Sequence, residues 1–470
     1  MAKSQNDLGR ASVGRLLFNM ALPAIAAQLI NVLYNVVDRM YIGHIEGIGD
    51  LALTGVGVTF PVIMIISAFS MLVGMGGAPR ASMKMGAKDN EGAQRILGNC
   101  ACLLLIMSVV ITAVILVFGR GFLMMFGASG NTIGYAMDYL SIYAVGTIFV
   151  QFVLGLNPFI SAQGFAKTSM FTTVIGAALN IALDPIFIFV FGMGVKGAAL
   201  ATILSQAVSA VWVLKFLTGK RTQLRIRPKY FRLSPSVILP VIALGVSPFI
   251  MQATESIITV CFNVQLMRYG GDLAVGAMTI LSSVMQFTFL LLMGLTQGSQ
   301  PIISYNYGAG NVERVKKTFR LLFISCMVFA AILWGGIMLF PQAFVSIFSN
   351  SEQLSAISVW ALRIYMGAAV VLGAQNACQQ TFIALGQAGV SVFLAILRKV
   401  ILLIPLIFTL PLMLNDKVFA VFFAEPVADI LAATATVILF AYRFKRILKK
   451  KQEEVISVRG QEEAAVQAET

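Results

Sequence analysis

Two aspartates, Asp38 and Asp184, stand inside long apolar runs of this 470-residue chain. A carboxylate in the middle of a membrane-length helix costs on the order of 3 kcal/mol to insert, so such a group is usually functional or half of an ion pair. Each has polar company at helical spacing. Gln28, Asn31, Asn35 and Asp38 recur at intervals of three, four and three, with Tyr34 beside them, and Thr173, Asn180 and Asp184 recur at seven and four. These intervals put each set on one face of a helix, and Thr202 in the following run completes the group. Carboxylate, amide and hydroxyl oxygens at one depth suit a proton or a small cation such as Na⁺. Pro185 directly follows Asp184 and removes the hydrogen bond that the Ile181 carbonyl would accept, and Pro23 gives the first run its own bend point. The alternative is structural pairing, but Arg39 follows Asp38 directly, points off its face, and can snorkel to the surface.

Other charged groups carry weaker signals. Gln252, Ser256, Thr259 and Asn263 form a second stripe with Glu255 near mid-membrane. Glu255 is a candidate site for a cation or a cationic substrate, with a protonated packing acid as the other reading. Arg398 and Lys399 in one run face Glu425 and Asp429 in the next, and Arg398 with Asp429 reads as a buried structural ion pair. The five cysteines all lie in apolar segments and read as small hydrophobes, with no disulfide framework and no metal spacing. Gly74-Met75-Gly76-Gly77 lacks the strand–loop–helix setting of a phosphate cradle. With no nucleophile–base pair in view, the chain reads as a protein without enzymatic activity, resident metal or cofactor.

The elements that must position these groups follow from composition. Hydrophobic residues make up 58% of the chain and charged residues 11%, with a mean hydropathy of +0.87. A soluble fold could not bury so much apolar surface, so lipid is the solvent and each span must satisfy its own backbone. Runs of about 20 residues or more are helix length for a core of about 30 Å. Twelve spans are expected, at 16–41, 51–77, 93–118, 134–160, 168–191, 195–217, 236–267, 272–298, 317–340, 354–384, 389–413 and 418–442. The net charge of +14 is topological. Cations crowd 80–95, 215–232, 314–320 and 443–451, while the connections between are nearly free of them, which is the positive-inside pattern rather than a nucleic-acid surface. Both termini are therefore expected in the cytoplasm, and Asp38, Asn180, Asp184 and Thr202 in the outer half of a cytoplasmic membrane.

The chain also repeats itself at an offset of 222 residues. Pro79-Arg80-Ala81-Ser82 realigns with Pro301-Ile302-Ile303-Ser304, Gly86-Ala87 with Gly308-Ala309, Glu91 with Glu313, and Gly164 with Gly386. Two six-span lobes of one orientation follow: 1–217, a cytoplasmic linker 218–235, a second lobe 236–444, and a solvated, irregular tail 445–470. Such lobes are related by an axis along the membrane normal, which points to a transporter with its path between them. The chemistry is not duplicated, because Asn180 and Asp184 realign with Leu402 and Leu406.

At this point the residues resemble a known family. Leu22-Pro23 through Asn35-Val36-Val37-Asp38-Arg39, Pro79 to Arg95, Asn157-Pro158, Ala162-Gln163-Gly164, and Asn180 through Asp184-Pro185 with Gly197-Ala198-Ala199 carry the likeness. Gln297 through Pro301, Tyr307-Gly308-Ala309-Gly310-Asn311 and Ala384-Leu385-Gly386 continue it. In order and spacing they are similar to MATE (multidrug and toxic compound extrusion) transporters, most of all the bacterial MepA-like branch. The resemblance implies an all-α integral membrane fold of twelve helices in two pseudo-symmetric six-helix bundles arranged as a V. It implies a secondary antiporter that exports organic, often cationic and amphipathic, drugs against H⁺ or Na⁺. The family's N-lobe cation site maps onto Asp38, Asn180, Asp184 and Thr202, with Asn31 and Tyr34 near it, and Glu255 matches an acid of some sodium-coupled members. The tenth-span aspartate of those members is absent here, where Gln375, Asn376, Gln379 and Gln380 stand instead. Small-molecule drugs and the lipid bilayer are the expected partners, with the chain a monomer. The alternatives are a flippase for lipid-linked saccharides and, from another class, a passive channel or receptor.

Overall fold

The computed structural model describes residues 7–220, 222–348 and 351–469, with side chains to 457. Arg221 of the basic connection and the tail side chains beyond 457 lie outside the described residues. Fifteen α-helices follow one another: α1 (Val13–Gly43), α2 (Gly49–Gly86), α3 (Asn90–Met125), α4 (Ile133–Val145), α5 (Thr147–Ala162), α6 (Ala166–Pro185), α7 (Gly194–Thr218) and α8 (Pro235–Gly308). Then come α9 (Val312–Leu339), α10 (Pro341–Ser346), α11 (Glu352–Tyr365), α12 (Ala369–Ala384), α13 (Ala388–Ile396), α14 (Ile404–Met413) and α15 (Lys417–Glu469). Turns of π-helix extend α6 over Ile186–Val190 and join α13 to α14 over Leu397–Leu403.

Each of the twelve expected runs falls on helix. Nine helices among the described residues are long and apolar enough to span a membrane, and two bent helix pairs reach that length and apolarity together. Helix α8 holds two of the expected spans, which meet where Gly271 leaves helical geometry (φ 63°, ψ −161°). The protein is a multi-pass, all-helical membrane protein.

The runs 134–160 and 354–384, expected as single spans, are bent by 58° between α4 and α5 and by 46° between α11 and α12. A bend frees carbonyls that lipid cannot satisfy. Thr112 Oγ1 donates to the Ala144 carbonyl at 2.7 Å, and Trp334 Nε1 donates to the Gly367 carbonyl at 3.0 Å. Thr112 and Trp334 are themselves 222 residues apart, so each half braces its bend from the same place. The repeat recurs in backbone turns. After α2, Ala87, Lys88 and Asp89 donate to the carbonyls of Met83, Met85 and Lys84; after α8, Ala309, Gly310 and Asn311 donate to those of Tyr305, Tyr307 and Asn306. Both turns place one residue in the left-handed region, Lys88 at φ 61° and Gly310 at φ 72°.

The expected lobes are not the compact units. One unit comprises Asn19–Ala81 and Asn90–Ile257; the other comprises Asp7–Phe18, Ser82–Asp89 and Ile258–Thr470. The boundary expected at 218–235 shifts because the first part of α8 packs with the first unit, where Gly245 lies directly on the Leu72 backbone and Gly76 on that of Val241. In the second unit, Asn306 Nδ2 donates to the Leu8 carbonyl at 2.9 Å, and Arg314 Nη2 to those of Leu8 and Ala11 at 3.2 and 2.7 Å, so the segment before α1 is held there. The connection 218–235 is tied down rather than slack. Gln163 Oε1 accepts from the N–H groups of Gln223 and Leu224 at 3.0 and 2.9 Å, and Asn99 Oδ1 accepts from the Ser234 N–H at 2.7 Å. The tail, expected to be irregular, continues α15 as helix, consistent with its Lys, Gln, Glu and Ala content. It lies along the α8–α9 turn, where Lys451 sits 5.7 Å from the Tyr307 ring and Val455 meets Gly310.

Candidate functional site

The polar group lies within the first unit. Asp38 comes from α1, Asn180 and Asp184 from α6, and Thr202 from α7, and all four side chains are buried. Asn180 and Asp184 are one helical turn apart, so Asn180 Nδ2 donates to Asp184 Oδ1 at 3.1 Å and also to Thr202 Oγ1 at 3.4 Å. The carboxyls of Asp38 and Asp184 face each other within hydrogen-bonding reach. Around them the apolar core of the unit includes Ile42, Ile66, Ile188 and Ala198.

Asp184 is fixed by the end of its helix. The α-helix stops at Pro185, and the chain turns through the π-helical stretch before Gly192 (φ 64°) and Gly194 (φ 55°) lead it into α7. A π-turn directly after a buried acid is a recurrent mark of a functional site. Helix α7 comes close to this turn because Gly197 has no side chain; a Cβ there would stand 2.7 Å from the Phe187 carbonyl. That approach also carries Thr202 toward Asn180. Pro23 is accommodated inside α1, which runs through it as one helix.

Three oxygens in the group receive no hydrogen bond: Asp38 Oδ1, Asp184 Oδ2 and Asn180 Oδ1. An ionised carboxylate only accepts, and a buried acceptor without a donor is costly. Neither aspartate is in an ion pair among the described residues. Arg39 is exposed and lies 5.1 Å from the Phe60 ring centroid. Two facing carboxyls and an amide oxygen are rich in acceptors and poor in donors, a deficit that a proton or a small oxygen-loving cation would satisfy.

The structure adds two side chains that the spacing argument leaves out. Tyr139 and Tyr143 of α4 are buried, with rings stacked at 6.1 Å. Tyr139 lies beside Thr202 and in the field of Asp38, a field that Tyr34 of α1 shares. The signal in the sequence is Tyr135, Tyr139 and Tyr143 at intervals of four, on one helical face.

Other candidates fall elsewhere. Asn35 donates to the Asn31 carbonyl at 2.6 Å, which ties it to its own helix. Gln28 lies ten residues before Asp38, about 15 Å along the axis. Glu255 is exposed on α8 and is not among the groups acting on the aspartate pair. In the second unit Arg398 Nη2 contacts Asp429 Oδ1 at 2.7 Å and Glu425 Oε1 at 3.2 Å, with all three side chains buried. The second-lobe glutamines and Asn376 are buried together on α12.

Comparison with known proteins gives a consistent picture. A family model described as MatE matches residues 23–186 and 248–409. The multidrug export protein MepA of Staphylococcus haemolyticus (strain JCSC1435) is 26% identical over 424 residues, which is 90% of this chain and 93% of that protein. MepA of Staphylococcus aureus (strain NCTC 8325 / PS 47) is 25% identical over 399 residues, 85% of this chain and 87% of that one. Among solved structures, the MATE multidrug transporter DinF-BH is 32% identical with a TM-score of 0.87, covering 95% of this chain and 99% of its own.

Proposed function

The chain belongs to the MatE family, and from that premise we propose that it is a secondary active multidrug antiporter of the cytoplasmic membrane. It exports organic, often cationic and amphipathic, compounds in exchange for H⁺ or Na⁺ bound by Asp38, Asp184, Asn180 and Thr202. The relatives named as multidrug export proteins support the cargo class. The observation that carries the coupling site is the set of three donorless oxygens where Asp38 meets Asp184. Both termini face the cytoplasm, the halves 1–217 and 236–444 act as the two lobes, and a monomer does the work.

The mechanism follows from charge. Two buried carboxylates with no cation between them repel, and that repulsion acts between α1 and α6. A proton or Na⁺ replaces the repulsion with a shared contact and draws the two helices together. Drug and cation then compete because each favours a different state of the same bundle. The chain's own groups give the site its geometry: Asn180 donates both to Asp184 and to Thr202, which links α6 to α7 beside the acid.

The test is dye efflux from proteoliposomes under a pure pH gradient and, separately, a pure Na⁺ gradient. Asp184→Asn is expected to lose at least about tenfold of gradient-driven efflux while equilibrium dye binding persists. Full efflux in that variant under either gradient would sink the proposal.

A further inference from the structure

A second feature lies in the other unit, far along the chain from the aspartates. Between the α12–α13 turn, α13 and α15 runs a cleft of about 470 Å³, lined by Gly389, Val390, Phe393, Leu439 and Arg443 among others. Its two ends differ in chemistry. Leu439 lies one helical turn from Arg443 on the side of the span, and Phe393 is half exposed on the facing helix. Arg443 opens the basic end of α15, followed by Lys445, Arg446, Lys449 and Lys450, all exposed. The cleft thus has an apolar floor within the span and a cationic rim where the span ends.

Arg443 is set apart from the neighbouring cations. Arg446 bonds the Tyr442 hydroxyl at 2.9 Å, Lys449 is 3.8 Å from Glu453, and Lys451 pairs with Glu454 at 3.2 Å. Among the described residues the Arg443 guanidinium has no such partner. The helix that carries it is anchored, because Phe440 and Phe444 on either side stack on each other at 4.6 Å and pack on Phe319 at 4.4 and 5.1 Å. The space beside residue 389 is open, since a Cβ built there would meet nothing within 4 Å, so a long side chain at this position would project into room the cleft provides. At the repeat position the first half carries Lys167.

We propose that this cleft seats one anionic phospholipid, with its phosphate on Arg443 and an acyl chain along Val390, Phe393 and Leu439. A planar guanidinium recognises phosphate oxygens in pairs. A rigid apolar floor at leaflet depth favours a lipid over a free anion. A basic run directly outside a span adds attraction for the same headgroup.

The experiment is native mass spectrometry of the full-length, delipidated protein titrated with phosphatidylglycerol or with phosphatidylcholine. The wild-type protein is expected to retain one phosphatidylglycerol with about tenfold preference. Arg443→Gln is expected to lose that preference through charge, and Gly389→Leu through volume with Arg443 intact. Lys450→Gln, the same charge change outside the cleft, is expected to keep it. Equal loss in Lys450→Gln would show a diffuse electrostatic surface instead. Unchanged binding in Gly389→Leu, or displacement of the lipid by millimolar glycerol phosphate, would also overturn the assignment. A thermal melt of each variant verifies that it is folded, and the two cleft variants fail independently of one another.

Discussion

At the scale of single residues, burial decides what a charge is worth. Arg398 is held by two carboxylates with every partner under 7% exposed, whereas the Lys84–Asp89 pair has side chains 50% and 40% exposed. Arg398→Met leaves Glu425 and Asp429 without that cation, and is expected to cost about 3–5 kcal/mol in denaturant unfolding. Lys84→Met should cost under about 1 kcal/mol, and equal losses would mean that burial is not what separates them. Within the aspartate group, Tyr139→Phe removes the hydroxyl beside Thr202 and in the field of Asp38 and keeps the stacked ring. Cation-dependent efflux should then need about two- to tenfold more of the coupling ion, with maximal efflux little changed. A loss of maximal efflux with unaltered ion dependence would contradict that role. Asp38, Asn180, Asp184 and Thr202 were legible in the sequence because an acid inside an apolar run is expensive and therefore conspicuous. Tyr139 was not, since a tyrosine at helical spacing looks like ordinary core and only the packing of α4 against α7 gives its hydroxyl a task.

At the scale of elements, the spans could be read from hydropathy but the bends could not. Nothing at Gly146 or Gly367 distinguishes a bend from a packing glycine. What makes the bends tolerable is Thr112 and Trp334, donors supplied by other helices. The same holds for the end of α6, where Pro185 predicted an interruption but not its form as a π-turn. The tail differs from its sequence expectation for another reason. Its charge suggested an irregular solvated segment, while its helix-forming side chains and the contacts of Lys451 and Val455 with the α8–α9 turn favour helix. The repeat also exposes one imperfect position. Lys88 adopts at φ 61° the left-handed conformation that its counterpart, Gly310, takes at φ 72°, and Lys88 is exposed. Lys88→Gly should therefore stabilise the protein by roughly 1 kcal/mol, seen as a higher melting midpoint in detergent. A lower midpoint would show that the lysine side chain contributes more than its backbone costs.

At the scale of the whole molecule, two sequence halves and two compact units do not coincide. Residues 7–18 and 82–89 belong with the second unit, and the first part of α8 with the first. Cutting the chain after Gly219 is therefore expected to give fragments that do not fold singly, whereas co-expression restores a folded, dye-transporting protein. A cooperative melt from either fragment alone would count against this. Sequence could reveal the duplication but not this exchange, because periodicity reports which residues are alike and not which ones pack together. The exchange also imposes a schedule on biosynthesis. The carbonyl of Leu8 waits for Asn306 and Arg314, which follow it by 298 and 306 residues. At roughly 5–20 residues per second, the ribosome takes on the order of 15–60 s to deliver them. Through that interval the segment ahead of α1 has no permanent seat, although the helices that follow it are already made.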